Sequence, residues 1–171
     1  ATELDRWVQP TDEQVDAWLK ERFPHSPAEV VAAARKKLPA YRKREAKRVG
    51  DEEELAAEEL VAYVERISGA KLPVARVHAG DLPKGRLILV GSELARRAGV
   101  GEDLDALHRD GFVIRTVGDD LVLSGKRARG TLYAVYDLLE SFGCRWVMPG
   151  PAGEILPDAG DLAFTGERTR N

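Results

Sequence analysis

The sequence predicts an α+β domain, a mixed β-sheet with helices packed on one face, preceded by a helical N-terminal segment. Three observations carry that prediction. Apolar residues recur at helical spacing in the first fifty positions and again after Asp51. A glycine turn joins two strands of alternating polarity, and further strands on both sides of this hairpin are reached through helices. An antiparallel hairpin within a sheet that also receives helix-connected strands makes the sheet mixed.

The elements follow in order. Thr11 and Gln14 form a capping-box pattern ahead of Val15, Trp18 and Leu19, and Pro24 stops that helix. Ser26-Pro27-Ala28-Glu29 opens a second helix with a cap hydroxyl, a proline in the first turn and a glutamate reaching back. Val30, Val31, Ala34 and Leu38 form its stripe before Pro39, and a further stretch runs from Ala40 to Val49, closed by Gly50. Residues 1–50 are therefore read as a helical extension, and 51–171 as the mixed-sheet domain.

That domain begins with a reciprocal cap at Asp51 to Glu54 and a stripe of Ala56, Leu60, Tyr63, Val64 and Ile67, ended by Gly69 and Pro73. Leu87-Ile88-Leu89-Val90 predicts a strand, and Ser92–Ala98 and Asp103–His108 predict short helices. Phe112 to Val117 alternate with period two, Gly118-Asp119 fits a two-residue turn, and Asp120 to Ser124 return. The last helix spans Arg129–Phe142, with Leu132, Val135, Tyr136, Leu139 and Phe142 inward and Gly143 beyond its end. Cys144–Val147 and Leu162–Thr165 complete the predicted strands. The Asp51 and Arg129 helices are expected to cover one face of the sheet.

Composition narrows the chemistry. The 171 residues are 43% hydrophobic and 32% charged, as in soluble globular proteins, and too few for a (β/α)8 barrel of ~250 residues with anything else. A net charge of −3 argues against whole-protein attraction to nucleic acid or anionic membranes. One cysteine, Cys144, excludes an internal disulfide and a cysteine-rich zinc site, and reads as a buried thiol. No apolar run has the length of a membrane span, and no signal-peptide core is present. A cleaved signal would leave no trace, so the compartment stays open, secreted or periplasmic included.

Few constellations carry chemistry. Gly125-Lys126-Arg127-Ala128-Arg129-Gly130-Thr131 lies between strand and helix, but Thr131 and Leu132 stand where a P-loop needs lysine and a hydroxyl. Amides at that helix start, with Lys126, Arg127 and Arg129, form a candidate anion site against the plainer reading of a solvated turn. His25, His78 and His108 lie far apart, without metal-ligand spacing, so no metal or other cofactor is expected. Glu154, between Gly153 and Ile155, is the one acid without a local structural role. Arg35 to Arg48 is strongly basic around Tyr41, but six acids follow from Asp51 to Glu59, which favours a solvated helical face over a polyanion site. Tyr133 lies with Asp137 and Glu140 on the last helix, away from its core stripe.

Two segments carry a resemblance. Ala56-Ala57-Glu58-Glu59-Leu60 through Tyr63 to Ser68-Gly69-Ala70-Lys71-Leu72-Pro73 is one. The other comprises Asp110–Arg115, Leu121–Gly125, Arg129-Gly130-Thr131-Leu132-Tyr133-Ala134-Val135-Tyr136, Gly143-Cys144-Arg145-Trp146, Pro149-Gly150 and Gly153-Glu154. Together they resemble the N-terminal domain of alpha-glucuronidases, which is similar to the second domain of beta-hexosaminidases. The resemblance implies a domain that precedes a catalytic barrel, packs on it and holds no catalytic residue. Arg145-Trp146 through Glu154 would then lead toward the barrel. The family domain usually opens with a strand, where this chain supplies a basic helical region.

The expected function is a non-catalytic accessory domain tied to polysaccharide processing, its partner a catalytic barrel in another domain or chain. The alternative is a free-standing carbohydrate- or polyanion-binding protein. Candidate residues of an interdomain or ligand face are Lys126, Arg127, Arg129, Tyr133, Asp137, Arg145, Trp146 and Glu154.

Overall fold

The computed structural model describes residues 51–77, 82–164 and 166–171, with the single helical positions Ala17, Ala32 and Lys36. The predicted helices before Asp51, the Arg35–Arg48 block, His25 and His78 otherwise lie outside the described residues.

Helix α1 covers residues 51–68. Strand β1 (Ile88–Val90) follows, then the short helices α2 (Ser92–Arg97) and α3 (Gly101–Ala106). The hairpin is β2 (Phe112–Val117) and β3 (Asp120–Gly125), followed by α4 (Ala128–Ser141), β4 (Arg145–Trp146), a 3-10 turn (Pro151–Gly153), β5 (Glu154–Ile155) and β6 (Glu167–Arg170). The main sheet has the order β1-β3-β2-β6, and β4-β5 form a separate pair. β1 runs parallel to β3, while β2 is antiparallel to β3 and β6, so the sheet is mixed as expected.

Alternation divides the core into two layers. Phe112, Ile114 and Leu123 point to one face, packed by Leu60, Val64 and Ile67 of α1 and Val135, Leu138 and Leu139 of α4. Val113, Val122 and Leu89 point to the other, where Ala95 of α2 and Val100 and Leu104 around α3 meet them. The two long helices thus share one face, and the two short helices add a layer on the opposite face. That second layer's direction is not legible from the residues, because short apolar segments do not say which side of a sheet they cover.

The hairpin turn matches its reading. Gly118 has φ 62, and Asp119 has no positive φ, the pattern of a II′ turn. The final strand is displaced from expectation: Leu162 and Phe164 pack on the larger core layer as anchors, and the strand itself is Glu167–Arg170. Its composition holds no apolar alternation by which sequence reasoning could find it.

α4 starts at a close crossing. A Cβ on Gly125 would lie 2.4 Å from the Gly130 backbone, and one on Gly130 would lie 2.7 Å from the Gly111 carbonyl. The Gly125 N–H donates to the Thr131 hydroxyl at 3.0 Å. The two glycines of the phosphate-loop-like stretch therefore serve strand-to-helix contact.

Candidate functional site

Glu59, Tyr63 and Arg66 stand four and three residues apart on α1 and so share a helix face. Trp146 and Glu154 are cross-strand partners in the β4–β5 pair, which puts both on one side of that small hairpin. The two sets meet. The Trp146 Nε1–H donates to the Tyr63 hydroxyl at 3.0 Å. Tyr63 in turn donates to Glu154 Oε1 at 2.7 Å, 91 residues away. Arg66 pairs with the other oxygen of Glu154. Tyr136, from α4, adds its ring and donates to Glu59 Oε2 at 2.7 Å.

The Trp146 ring packs edge to face with both tyrosine rings. Tyr136 and Trp146 lie 4.7 Å apart at 81°, and Tyr63 and Trp146 5.2 Å apart at 86°. Such pairs contribute about 0.5–1.5 kcal/mol each beyond area burial. The Arg66 guanidinium lies 4.9 Å from the Tyr63 ring centroid, a cation–π contact.

Electrostatics follows from this wiring. The Arg66 guanidinium and the Tyr63 hydroxyl hold the Glu154 carboxyl below its ordinary range. Burial first, then the Glu154 carboxylate, pushes the Tyr63 phenol up. Burial and Glu59 do the same to Tyr136. Glu154 is thus ionised at neutral pH with both oxygens engaged. That arrangement suits a fixed anchor between helix and hairpin, since a general acid must still hold its proton at the working pH.

The other sequence-derived residues fall into two further neighbourhoods. At the α4 start, Lys126 Nζ donates to the carbonyls of Asp105 (2.9 Å) and Leu107 (2.8 Å), completing the end of α3. Arg129 grips Asp110 with two donors, Nη2 lying 2.7 Å from each carboxylate oxygen. Arg127 is the exposed N-cap residue, and Tyr133 is 42% exposed on α4. Asp137, expected on the outward side of α4, is 6% exposed because Arg168 and Arg170 of β6 close over it. Arg145 turns back to the Glu140 carbonyl at 2.7 Å.

Cys144 is buried, and that burial pushes its thiol up. Among the described residues, no group of three or more His, Cys, Asp or Glu could hold a metal ion.

The structure brings Trp146 and Glu154 together and supplies partners that sequence reasoning did not single out: Glu59, Tyr63, Arg66 and Tyr136. Tyr63 and Tyr136 were legible only as core-stripe residues. Their hydroxyl partners lie on elements far away in the chain.

On the outer side of the same hairpin, Val147, Met148 and Ile155 are 67%, 56% and 55% exposed. Val147 and Met148 follow β4 directly and Ile155 ends β5, so three exposed apolar residues stand within or next to this short pair of strands.

Comparison with known proteins adds the family. A family model described as "Glycosyl hydrolase family 67 N-terminus" matches residues 22–138, more than half of the chain. The match ends within α4, before Trp146 and Glu154. Among curated proteins, the chain is 34% identical over 86 residues to "Probable alpha-glucuronidase A" of Aspergillus terreus (strain NIH 2624 / FGSC A1156). That alignment covers 50% of this chain and 10% of the relative, so the shared part is a small fraction of the relative's length. No solved structure matches the chain.

Proposed function

The chain belongs to the glycosyl hydrolase family 67 N-terminal family, and from that premise we propose that it is a non-catalytic accessory domain, which packs on a catalytic barrel that processes glucuronic-acid-bearing polysaccharide. One observation carries the reading. The β4–β5 hairpin is pinned from within by Trp146 and Glu154 while its outer side offers Val147, Met148 and Ile155 to solvent. A rigid apolar surface of this kind suits a permanent neighbour better than a soluble sugar, which is recognised by convergent polar groups.

The rival reading, a free-standing sugar or polyanion binder, has less support, since Lys126 and Arg129 already spend donors on carbonyls and on Asp110. The test is reconstitution. Expressed as separate chains, this domain and its cognate catalytic portion should co-elute in gel filtration. Val147→Asp combined with Ile155→Asp should abolish co-elution without altering the domain's melting temperature. Hydrolysis of aryl glycosides by the 171 residues alone, lost on Glu154→Gln, would overturn the proposal.

A further inference from the structure

The edge strand β6 holds no apolar side chain. It reads Glu-Arg-Thr-Arg, and of the four only Arg168 is part-buried. Such a strand gains little from removing apolar surface from water, yet it pairs with β2 at four consecutive positions.

Charge on both faces of the sheet seats it. Arg168 and Arg170 pair with Ile114 and Phe112, so they lie on the face that α4 covers. Both reach the carboxylate of Asp137, Arg168 at 2.5 Å and Arg170 at 2.9 Å. On the opposite face Glu167 pairs with Arg115, which also binds Asp103 of α3 at 2.6 Å. The backbone fits too. Thr116 N–H donates to the Gly166 carbonyl at 3.2 Å, and a Cβ on Gly111 would stand 2.9 Å from the Arg170 carbonyl. A slip of one residue would carry both arginines to the side of Arg115 and the glutamate to the side of Asp137. Charge therefore sets the register that apolar alternation sets elsewhere in the sheet.

We propose that the outer edge of β2 is an acceptor site for an extended peptide with arginines two residues apart behind an acidic residue. Glu167–Arg170 is its occupant in cis, exchangeable for a segment of the same chemistry from another polypeptide. Strand addition at a sheet edge takes its affinity from main-chain hydrogen bonds and its selectivity from side-chain sockets. The sockets are Asp137 on one face and Arg115 on the other. Asp137 is 6% exposed with the strand in place, so departure of β6 leaves a carboxylate that only another cation satisfies well. The strand's own hold is the weaker half of the arrangement: Arg168 and Arg170 are 37% and 62% exposed, within reach of screening by salt. This inference stands apart from the accessory-domain reading and uses none of the hairpin residues on which that reading rests.

The test uses the full chain carrying Arg168→Ala together with Arg170→Ala, which weakens the cis strand and leaves Asp137, Arg115 and β2 intact. A labelled peptide Gly-Glu-Arg-Thr-Arg-Asn is titrated by fluorescence polarisation at low salt. It should bind this variant at least about tenfold more tightly than the unaltered chain, whose site is filled. Binding should disappear when Asp137→Asn is added or when both peptide arginines are alanine. Equal binding to both chains, no binding to the variant, or binding indifferent to Asp137→Asn overturns the proposal. If the variant does not fold, hydrogen exchange of the unaltered chain decides. The β2 amides facing β6 should lose protection several-fold as salt rises, while β3 and α4 keep theirs. Protection at that edge unmoved by salt overturns the proposal.

Discussion

Tyr63 is the residue on which the hairpin anchor turns, because its hydroxyl both accepts from Trp146 and donates to Glu154. Tyr63→Phe keeps the ring and removes only the oxygen. It leaves an indole N–H and a carboxylate oxygen without their partner, so the expected loss is about 1–3 kcal/mol in urea unfolding. An unchanged midpoint would mean that water replaces the hydroxyl at no cost. The acid side of the pH profile belongs to Glu154. Its folded-state pKa is depressed by Arg66 and Tyr63, so its contribution is present above the unfolded carboxylate value, about pH 4.3, and is lost as pH falls through the folded value. The wild type should therefore lose melting temperature below about pH 4 more steeply than Glu154→Gln. Half-buried Glu53, whose carboxyl is pushed up by desolvation, acts in the opposite direction, which is why the comparison is made between these two proteins. On the alkaline side the raised phenols of Tyr63 and Tyr136 work through the neutral form. Their contribution is present below about pH 10 and fades as pH rises through the folded values.

At the scale of elements, the glycines of the α4 entry show how one signal supports two readings. Gly125 and Gly130 frame basic residues between strand and helix, as a phosphate loop does, but their missing Cβ atoms make room for each other's backbone and for Gly111. Gly125→Ala should thus destabilise by about 3 kcal/mol, whereas Gly160→Ala, which meets nothing within 4 Å and has no positive φ, should stay within about 0.5 kcal/mol. Equal midpoints for the two variants in urea would refute the crossing as the reason for glycine. Elements built on apolar period were legible: α1, the β2–β3 hairpin and α4 lie within a residue or so of where alternation and stripes put them. β6 was not, because ion pairs from Asp137 and Arg115 seat it and no local pattern announces such partners. The anchor was half legible. Glu154 stood out as an acid without a local role, but its partners Tyr63 and Arg66 are far away in sequence, and Tyr63 reads only as part of a helix's core stripe.

For the described unit as a whole, the sheet separates two layers of unequal strength. On one side α1 and the fourteen-residue α4 bury Leu60, Ile67, Val135, Leu138 and Leu139 in one continuous cluster with Phe112, Ile114 and Leu123. On the other, α2 and α3 are six residues each, and neither N-cap residue makes a side-chain hydrogen bond. Helices so short are not stable alone in water and exist because the sheet holds them. α3 is tied down by Leu104, by Lys126 on its final carbonyls and by the Arg115–Asp103 pair, while the Ser92 N–H at the α2 start donates to Glu53 of α1 at 2.9 Å. The short layer should therefore open locally, at a lower free energy than the long-helix layer, which opens only with global unfolding. Leu104→Ala removes the central apolar contact of α3, and Leu138→Ala does the same for α4. Both should cost about 2–5 kcal/mol at their own site, but with different reach. In native-state hydrogen exchange, Leu104→Ala should accelerate amides of α2 and α3 while leaving the slowest α4 amides paced by an opening free energy that falls less. Leu138→Ala should lower protection in every element together. If α2–α3 and α4 exchange with one common free energy in the unaltered chain, the two layers form a single cooperative unit and this division is wrong. The anchor that fixes the β4–β5 hairpin belongs to the long-helix layer, so a partner docked on Val147, Met148 and Ile155 would rest on the side of the molecule that opens last.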